Sequence, residues 1–484
     1  MRKMYAVLLL VLAGLPVDAQ TVPGKTMNLE QCVQYALDNS VSAQNAVIDE
    51  RIAEARVKET IGIGLPQVSG TAGALYNDKL SRFFGTKQRI FGFSGLPASD
   101  YGNFLPGLPD DAVVSGQNFF QLKAAASANL SISQLIFNGS YIVGLQASRT
   151  FKELAYKTTD QTREQVIEQV TKAFYSALIN RERIHLFDAN IARIDSLLRN
   201  TEALNKNGFA ESIDVDRMQV TMNNLVTERA KFLKLQELSV ELLKFQMNYP
   251  MEQSLVIDGE ISGSVVAVDY DSYLKDWDYK NRIDYQILET NFKLQSLNIR
   301  NKYASALPAV FASANIGYST QSTDVSGLFV TRSNISDNGA VGPDKWYPVS
   351  SYGVNVSIPI FSGLQRTYQL QQEKLRLQKI ENGFRQVKSG IDLQVKQATT
   401  MYQNATEALK AQQRNMDLAI KVARVTRIKY EQGVGSNLEV VTAEAALKEA
   451  QVNYYNALFD ALVAKVDLDK AFGKLLAAYP ENNK

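Results

Sequence analysis

Cysteine and histidine, which supply many catalytic and metal-binding groups, are nearly absent from this chain. It contains one cysteine, Cys32, and one histidine, His185. A single thiol can form neither an internal disulfide nor a thiolate metal site, and a lone imidazole has no second histidine with which to share a metal ion or a proton. We therefore expect Cys32 to be a small apolar residue on a helix face and His185 to be an ordinary residue of a long helix.

Other signatures of enzymes are also missing from the sequence. There is no glycine-rich loop followed by Lys-Ser or Lys-Thr, no nucleophile motif, no metal-ligand cluster and no pair of carboxylates at a strand end. The 52 basic residues nearly balance the 50 acidic ones, so the charge favours neither a nucleic-acid nor an anionic-membrane partner. We expect no enzyme activity and no cofactor. A secreted lyase or hydrolase is an alternative, and turnover of any substrate by the purified protein would support it.

Two carboxylates are notable because each follows a glycine turn between long helical patterns. Asp214 follows Asn207-Gly208-Phe209, and Glu439 follows Gln432-Gly433-Val434-Gly435. Glycine permits the positive φ that tight turns need, so the three glycines are expected to be turn residues. An acid in the first turn of a helix is stabilised by the helix dipole, and this alone is one explanation for both carboxylates.

The elements that position these turns occur twice in the chain. Gly64-Leu65-Pro66 opens an alternating stretch that ends at Phe137-Asn138-Gly139, and Ala306-Leu307-Pro308 opens another that ends at Phe361-Ser362-Gly363. A very long helical pattern follows each stretch. The sequence therefore predicts an internal duplication of a strand-plus-long-helix unit. The corners where strands begin and end are predicted at Pro66, Pro308, Gly139 and Gly363.

Four segments alternate between apolar and small polar residues with a period of two. Their apolar sides run from Val68 to Tyr76, Leu122 to Ile132, Val310 to Tyr318 and Tyr352 to Ile360. Each segment has about 10 to 14 residues, the length that a tilted strand needs to cross a hydrocarbon core. The alternation predicts membrane strands with lipid on one face and water on the other. A soluble sandwich also alternates, but its strands are usually shorter and its outer faces carry more charge.

The helical segments are unusually long. From Leu145 to Asn207 there is neither glycine nor proline, and apolar residues recur at heptad spacing with Asn180 as a polar member of the seam. The chain returns from Phe209 to Tyr249, and a second pair runs from Leu364 to Gln432 and from Ser436 to Phe472. The sequence predicts two antiparallel coiled-coil hairpins. Heptads alone would more often indicate a cytoskeletal or adaptor coiled coil, but their combination with membrane-type strands is more specific.

The N-terminus is typical of a secretory signal, with Arg2 and Lys3 before an apolar run and Val17-Asp18-Ala19 as the cleavage site. No later stretch of about 18 apolar residues predicts a transmembrane helix.

The sequence predicts nine divisions, in chain order. The first repeat follows a signal peptide at 1–19 and comprises an N-terminal helix at 20–66, a β-hairpin at 67–137 with an external loop at 79–120, and a long helical hairpin at 138–250. An equatorial insert at 251–280 precedes the second repeat, which comprises a first helix at 281–308, a β-hairpin at 309–361 with an external loop at 323–348, a second long helical hairpin at 362–475 and a tail at 476–484.

Four strands cannot close a transmembrane barrel, because every strand edge must be paired in lipid and about eight strands is the smallest known size. Two chains would supply eight strands, and three would supply twelve, which leaves room for a lumen. Twelve long helices could then continue as a tube with heptad seams between neighbours. The pattern predicts a channel assembled from several chains.

In this order, and duplicated, the motifs resemble those of the TolC-like outer-membrane efflux protein family. The resemblance covers about Asn28 to Lys474 and depends on the Leu-Pro pairs, the Phe-Asn-Gly and Phe-Ser-Gly exits, and two turn motifs at Asn207 to Val215 and Tyr430 to Val440. It implies a membrane α+β fold, in which a homotrimer forms a 12-stranded transmembrane β-barrel in outer-membrane lipid, continued by a periplasmic α-helical barrel.

The resemblance also implies a passive exit channel of a tripartite efflux or type I secretion system. The energy would come from an inner-membrane pump of the RND or ABC type, joined through a periplasmic adaptor (membrane fusion) protein at the hairpin tips. The sequence does not choose among drugs, metals, other small solutes and proteins as cargo. The alternative is a periplasmic coiled-coil adaptor or structural protein whose alternating segments form a soluble β domain.

Residue roles follow from the resemblance position by position. Glu439 matches the first of two acids that constrict the pore of family members, Asp214 is its mate in the first hairpin, and the second acid falls at Thr442. Tyr430 matches a tyrosine that helps to lock the closed state, and the arginine that accompanies it falls at Gly435. Three copies of Glu439 around an axis would form an anionic ring that favours cations. The tip gate and adaptor docking site would comprise Tyr430, Gly433, Gly435 and Gly208.

Overall fold

The computed structural model describes residues 25–92, 106–117, 121–261, 266, 268, 270–275, 277–329, 332–333 and 345–480. The chain has an α+β fold that consists mainly of helices. The predicted signal peptide and parts of both predicted external loops lie outside the described residues. No helix in the described ranges is long and apolar enough to cross a membrane.

The chain divides into two compact units. The helical unit comprises Met1–Glu54, Thr150–Gln295 and Leu375–Lys484, and the strand unit comprises Ala55–Arg149 and Ser296–Lys374. The helices are α1 (Leu29–Asn39), α2 (Val41–Ile63), α3 (Lys87–Gly92), α4 (Gly139–Lys206), α5 (Ser212–Met247), α6 (Tyr270–Lys275), α7 (Ile283–Ala304), α8 (Gln365–Glu431) and α9 (Asn437–Ala471). The strands are β1 (Lys25–Met27), β2 (Gln67–Tyr76), β3 (Arg82–Thr86), β4 (Val113–Gln117), β5 (Ala124–Asn138), β6 (Leu255–Ile257), β7 (Ala309–Ser322), β8 (Arg332–Ser333) and β9 (Lys345–Ser357).

Antiparallel pairing organises the strand unit. The main sheet has the order β2-β5-β7-β9, with the two-residue β8 beside β9. β2 pairs with β5 from Gln67 opposite Ser133 to Tyr76 opposite Ala124, and β7 pairs with both β5 and β9. Among the residues that the structure describes, β2 has a strand partner on one side only. One chain therefore supplies an open sheet of four long strands.

The long strands of this sheet leave much apolar surface exposed. All ten residues of β2 are exposed, and on β9 the side chains of Tyr352, Val354 and Val356 are 74%, 68% and 53% exposed. They alternate with Gly353 and Asn355, so that one face of β9 is apolar. A continuous apolar face of this kind is typical of a surface that contacts lipid or another protein.

The structure corrects three details predicted for the strands. The predicted external loop at 79–120 contains a hairpin of β3 and β4 and the short helix α3. The predicted loop at 323–348 ends earlier, because Lys345 to Pro348 already belong to β9. That strand ends at Ser357 instead of Ile360, since Pro359 lacks the amide hydrogen that a strand ladder requires.

The predicted corner residues occupy different kinds of position. Pro66 and Pro308 directly precede β2 and β7. Gly139 is the first residue of α4, where a Cβ would lie only 2.8 Å from the carbonyl oxygen of Ala304, so the close approach of two backbones requires glycine. Gly363, with a φ of 59°, lies in the turn just before α8 and beyond the end of β9 at Ser357. The prediction that it marks the strand exit is wrong.

The helical unit has its main core where α1, α4, α5 and α9 meet. Its fully buried members include Cys32, Val170, Leu243 and Met247, and Val466 of α9 joins them. Burial raises the pKa of the Cys32 thiol to about 12, so this cysteine is an unreactive apolar residue, in agreement with the expectation from its sequence context. A second cluster joins α8 to α9.

The predicted polar member of the first heptad seam fixes how α4 packs on α5. Asn180 is buried, and its Nδ2 donates to the Ser239 Oγ at 2.7 Å. A single buried polar contact in a heptad seam specifies the register of the two helices. His185, on the same helix, is exposed.

The N-terminal region differs from the single helix predicted at 20–66. It consists of β1 followed by α1 and α2, which separate at Ser40 because that residue is extended (ψ 141°). A capping box of Asn28 and Gln31 starts α1. β1 pairs in parallel with β6, so that the predicted equatorial insert contributes a strand. A three-residue strand is too short to produce a detectable alternation.

Candidate functional site at the helix turns

The turn between α4 and α5 is closed by backbone hydrogen bonds. Gly208 has a φ of 78°, and the Phe209 amide donates to the Leu204 carbonyl oxygen at 2.9 Å. This pairing satisfies a carbonyl group at the end of α4, as in a Schellman motif. The Phe209 side chain is 82% exposed, so the turn presents an aromatic ring to its surroundings.

The turn between α8 and α9 has a related geometry. Gly433 has a φ of 73°, and the amides of Val434 and Gly435 both donate to the Lys429 carbonyl oxygen, at 3.0 and 3.1 Å. The expectation of a positive φ at Gly435 is wrong. Glycine is needed there for a different reason, because a Cβ would lie 3.1 Å from both the Lys429 Cβ and the Tyr430 amide nitrogen.

Asp214 and Glu439 each lie at the third position of the helix that follows a turn, where the helix dipole stabilises a carboxylate. Asp214 is half-buried, and its Oδ1 accepts a hydrogen bond from the Arg217 Nη1 at 3.2 Å. Glu439 is exposed, and its amide donates to the Ser436 Oγ at 3.2 Å. Thr442 is also exposed, and its hydroxyl donates to the Leu438 carbonyl oxygen at 2.8 Å.

Tyr430 links the end of α8 to the first helical pair. Its hydroxyl lies 3.0 Å from the Thr201 Oγ1. Thr201 is fully buried and donates to the Leu197 carbonyl oxygen at 2.9 Å, so the tyrosine is the donor in this contact. The Tyr430 ring packs on an apolar cluster to which α4, α5 and α9 contribute, with buried members Phe187, Ile194, Leu197, Leu198, Met218, Leu225 and Val440.

Further polar contacts, which the sequence pattern does not predict, join the two helical pairs near the turns. The Arg193 Nε lies 3.0 Å from the Glu444 Oε2, and the Glu444 side chain is only 4% exposed. The Asn190 Nδ2 donates to the Gln451 Oε1 at 3.0 Å. We call these two contacts, together with that of Tyr430 to Thr201, the hairpin latch.

The heptad pattern does not predict the latch, because the pattern describes each helix by itself. The available signal was the placement of Asn190 and Arg193 beside the seam residues Ile191 and Ile194, where a polar side chain reaches a neighbouring helix. No three or more histidine, cysteine, aspartate and glutamate residues within the described ranges form a group that could hold a metal ion. The turns therefore offer carboxylates, apolar tips and latching contacts.

The sequence is similar to one known protein family, and the fold is similar to that of solved structures. Residues 281–474 match the family described as outer membrane efflux protein. The solvent efflux pump outer membrane protein SrpC and the toluene efflux pump outer membrane protein TtgI, both of Pseudomonas putida, are each 22% identical over 330 residues. These matches cover 66% of this chain and 65% of each relative, slightly less than two thirds of their length.

The fold match extends further along the chain. The crystal structure of the outer membrane protein VceC from Vibrio cholerae superposes with a TM-score of 0.66 at 16% identity. The superposition covers 92% of this chain and 96% of that protein. Both strands and long helices are therefore part of the shared fold.

Proposed function

We propose that the chain is an outer membrane efflux protein, since residues 281–474 match that family, and that it forms the outer-membrane exit channel of a tripartite efflux or type I secretion system. The protein is located in the outer membrane, with a periplasmic helical extension, and it is a channel protein rather than an enzyme. Transport through it is passive. The energy comes from an inner-membrane pump of the RND or ABC type, connected by a periplasmic adaptor protein.

The open sheet of the strand unit carries this proposal. Its four long strands expose an apolar face, and β2 has one free edge among the described residues. In lipid every backbone group must be paired, so the sheet needs further strands to close. Three chains supply twelve strands, a number that surrounds a lumen, and the same arithmetic gives twelve long helices for a periplasmic barrel.

The repeated order of helix, strand pair, long helix and returning helix supports the proposed duplication, which gives six similar sectors around the axis. The helix turns form the closed end of the channel in this proposal. Glu439 supplies an anionic ring, with Asp214 in the other copy of the repeat and the uncharged Thr442 one turn further along α9. The exposed Phe209 and Val434 side chains support adaptor docking at the turns, since exposed apolar groups are typical of binding surfaces.

The native mass of the species extracted from the outer membrane by detergent tests the proposal directly. Three protein chains per particle are expected, because three sets of four strands close the sheet. A monomeric particle would contradict the closed barrel. Recovery with the soluble periplasmic proteins, without detergent, would instead favour a coiled-coil adaptor.

A further inference from the structure

A cavity of about 310 Å³ lies within the helical unit, away from the helix turns. Side chains from α4, the start of α7, α8 and α9 line it. The exposed residues Gln397 and Met401 of α8 lie at its mouth, and the buried Glu164 and Arg282 form its floor. A volume of this size is at the lower end of the range for small-molecule sites.

The lysines near the cavity form ion pairs with carboxylates other than that of Glu164. The Lys172 Nζ donates to the Glu168 Oε1 at 2.7 Å and also pairs with Asp467 of α9. The Lys470 Nζ donates to the other oxygen of Glu168 at 2.6 Å. Glu164, on α4 and only 3% exposed, lies one turn before this network.

The arginine on the cavity floor is likewise held by other groups. The Arg282 Nη2 donates to the Asp284 Oδ2 at 2.8 Å and to the Gln394 Oε1 at 2.9 Å. Its Nη1 donates to the Ala471 carbonyl oxygen at 3.0 Å, while its Nε is buried without a hydrogen-bond partner. These contacts orient the guanidinium group toward α7, α8 and α9.

The charges around the cavity leave one carboxylate unbalanced. The carboxylates of the lining are Glu164 and Glu168 of α4, Asp284 of α7 and Asp467 of α9, and the cations beside them are Lys172, Arg282 and Lys470. Each cation already pairs with one of the other three acids. Burial raises the pKa of Glu164 to about 7, although Arg282 and Lys470 act in the opposite direction. A buried, unpaired carboxylate is costly, so the cavity favours an additional positive charge.

We propose that this cavity binds a small organic cation of the primary-amine class, whose ammonium group pairs with the Glu164 carboxylate. The amide side chains of Gln161 and Gln165 lie in the same lining, and amide oxygens accept hydrogen bonds from an ammonium group. Ala398 and Met401 provide an apolar wall for a short alkyl part. A metal ion fits less well, because the acids of the described residues do not converge as a set of ligands. The site belongs to one helical unit, so it does not depend on the channel proposal.

Thermal unfolding of the full-length, detergent-extracted protein tests this site. At pH 8 and constant ionic strength, methylammonium chloride is expected to raise the unfolding midpoint by about 1–3 °C relative to sodium chloride, because a ligand that binds only the folded state stabilises it. The rise is expected to disappear in Glu164→Gln. It should persist in Glu237→Gln, which removes an exposed carboxylate of α5 outside the cavity. At pH 6 the rise should be smaller, since protons compete for Glu164.

Glu164→Gln removes a buried charge and is expected to fold. If it does not, Met401→Lys provides the same test from the exposed mouth, because its tethered ammonium group fills the site and abolishes the effect of methylammonium. The proposal would be overturned if sodium chloride raised the unfolding midpoint as much as methylammonium chloride does. It would also be overturned if methylammonium raised the midpoint of the variant that folds as much as that of the wild type. A midpoint that responds to pH but not to methylammonium would also overturn it, since the cavity would then take up only a proton.

Discussion

The two carboxylates at the helix turns share a position but differ in their surroundings. The charge of Asp214 is partly neutralised by Arg217 on the same helix. The Glu439 carboxylate is exposed, and the Ser436 hydroxyl oxygen accepts a hydrogen bond from the Glu439 backbone amide, not from its side chain. An exposed carboxylate keeps its charge and acts on ions in the water nearby. Glu439 is therefore the better candidate for an anionic ring.

Replacement of Glu439 by alanine is expected to lower the cation preference of the channel at least about twofold, because three negative charges would leave the constriction of the proposed trimer. Planar-bilayer recordings of the reversal potential in a salt gradient measure this preference. The matched variant Glu449→Ala removes an exposed acid two turns or more along α9 and should leave the selectivity unchanged. The same selectivity in Glu439→Ala and the wild type would remove Glu439 from the pore.

A second prediction at the residue scale concerns the buried Glu164. Its pKa is raised from 4.5 to about 7 in the folded protein because burial disfavours the charged form. The protonated carboxyl contributes stability that is fully present below pH 4.5 and is lost as the pH rises through 7. The loss amounts to at most about 3 kcal/mol. The unfolding midpoint of the wild type is thus expected to fall between pH 5 and 8, relative to that of Glu164→Gln. Parallel pH profiles of the two proteins would show that Glu164 ionises normally.

The hairpin latch belongs to the scale of whole helices, because its contacts join α8 and α9 to α4. Glu444→Gln leaves the Arg193 guanidinium without its charged partner. Breaking a buried ion pair is strongly unfavourable, and here the cost is about 2–3 kcal/mol, since Arg193 keeps 23% of its side-chain exposure. If the turns close the channel, this variant should show a larger mean single-channel conductance than the wild type.

Lipid-bilayer recordings of Glu444→Gln and of Glu449→Gln, an exposed site on the same helix, provide the comparison. Tyr430→Phe should have a smaller effect in the same direction, because it removes one hydrogen bond, worth about 1 kcal/mol, and keeps the ring in the apolar cluster. Conductance that is unchanged in both latch variants would contradict a gating role for these contacts.

The elements differ in how far the sequence predicts them. The heptad pattern around Asn180 indicates long paired helices because apolar side chains recur every three or four residues over many turns. The structure buries this seam. The pairing of β1 with β6 has no such signal, since three residues give no period. The latch and the Glu164 cavity also escape prediction, because they join residues more than a hundred positions apart and depend on the rotation of each helix about its own axis. Contacts of that kind follow from packing rather than from local pattern.

At the scale of the whole molecule, the apolar face of the open sheet places the strongest constraint on assembly. Val354 and Asn355 are neighbours on β9 and point to opposite faces of the sheet. In the proposed barrel the valine face contacts lipid and the asparagine face contacts water. The two positions therefore form a matched pair, in which the same new side chain enters two different surroundings.

If the proposed trimer forms, Val354→Lys is expected to reduce its amount in the outer membrane. A lysine on the lipid face of a barrel costs about 2–4 kcal/mol per site near the bilayer midplane, and the proposed trimer would carry three such sites. Asn355→Lys, with the same charge on the water face, should assemble at close to the level of the wild type. Native mass measurement of the detergent-extracted particles, at matched expression, records both outcomes. If both variants assembled equally, neither face of the sheet would contact lipid, and the strands would belong to a soluble domain. If Asn355→Lys alone failed, the barrel would have its apolar face inward, and the lumen would not be the water-filled path that a passive exit channel requires.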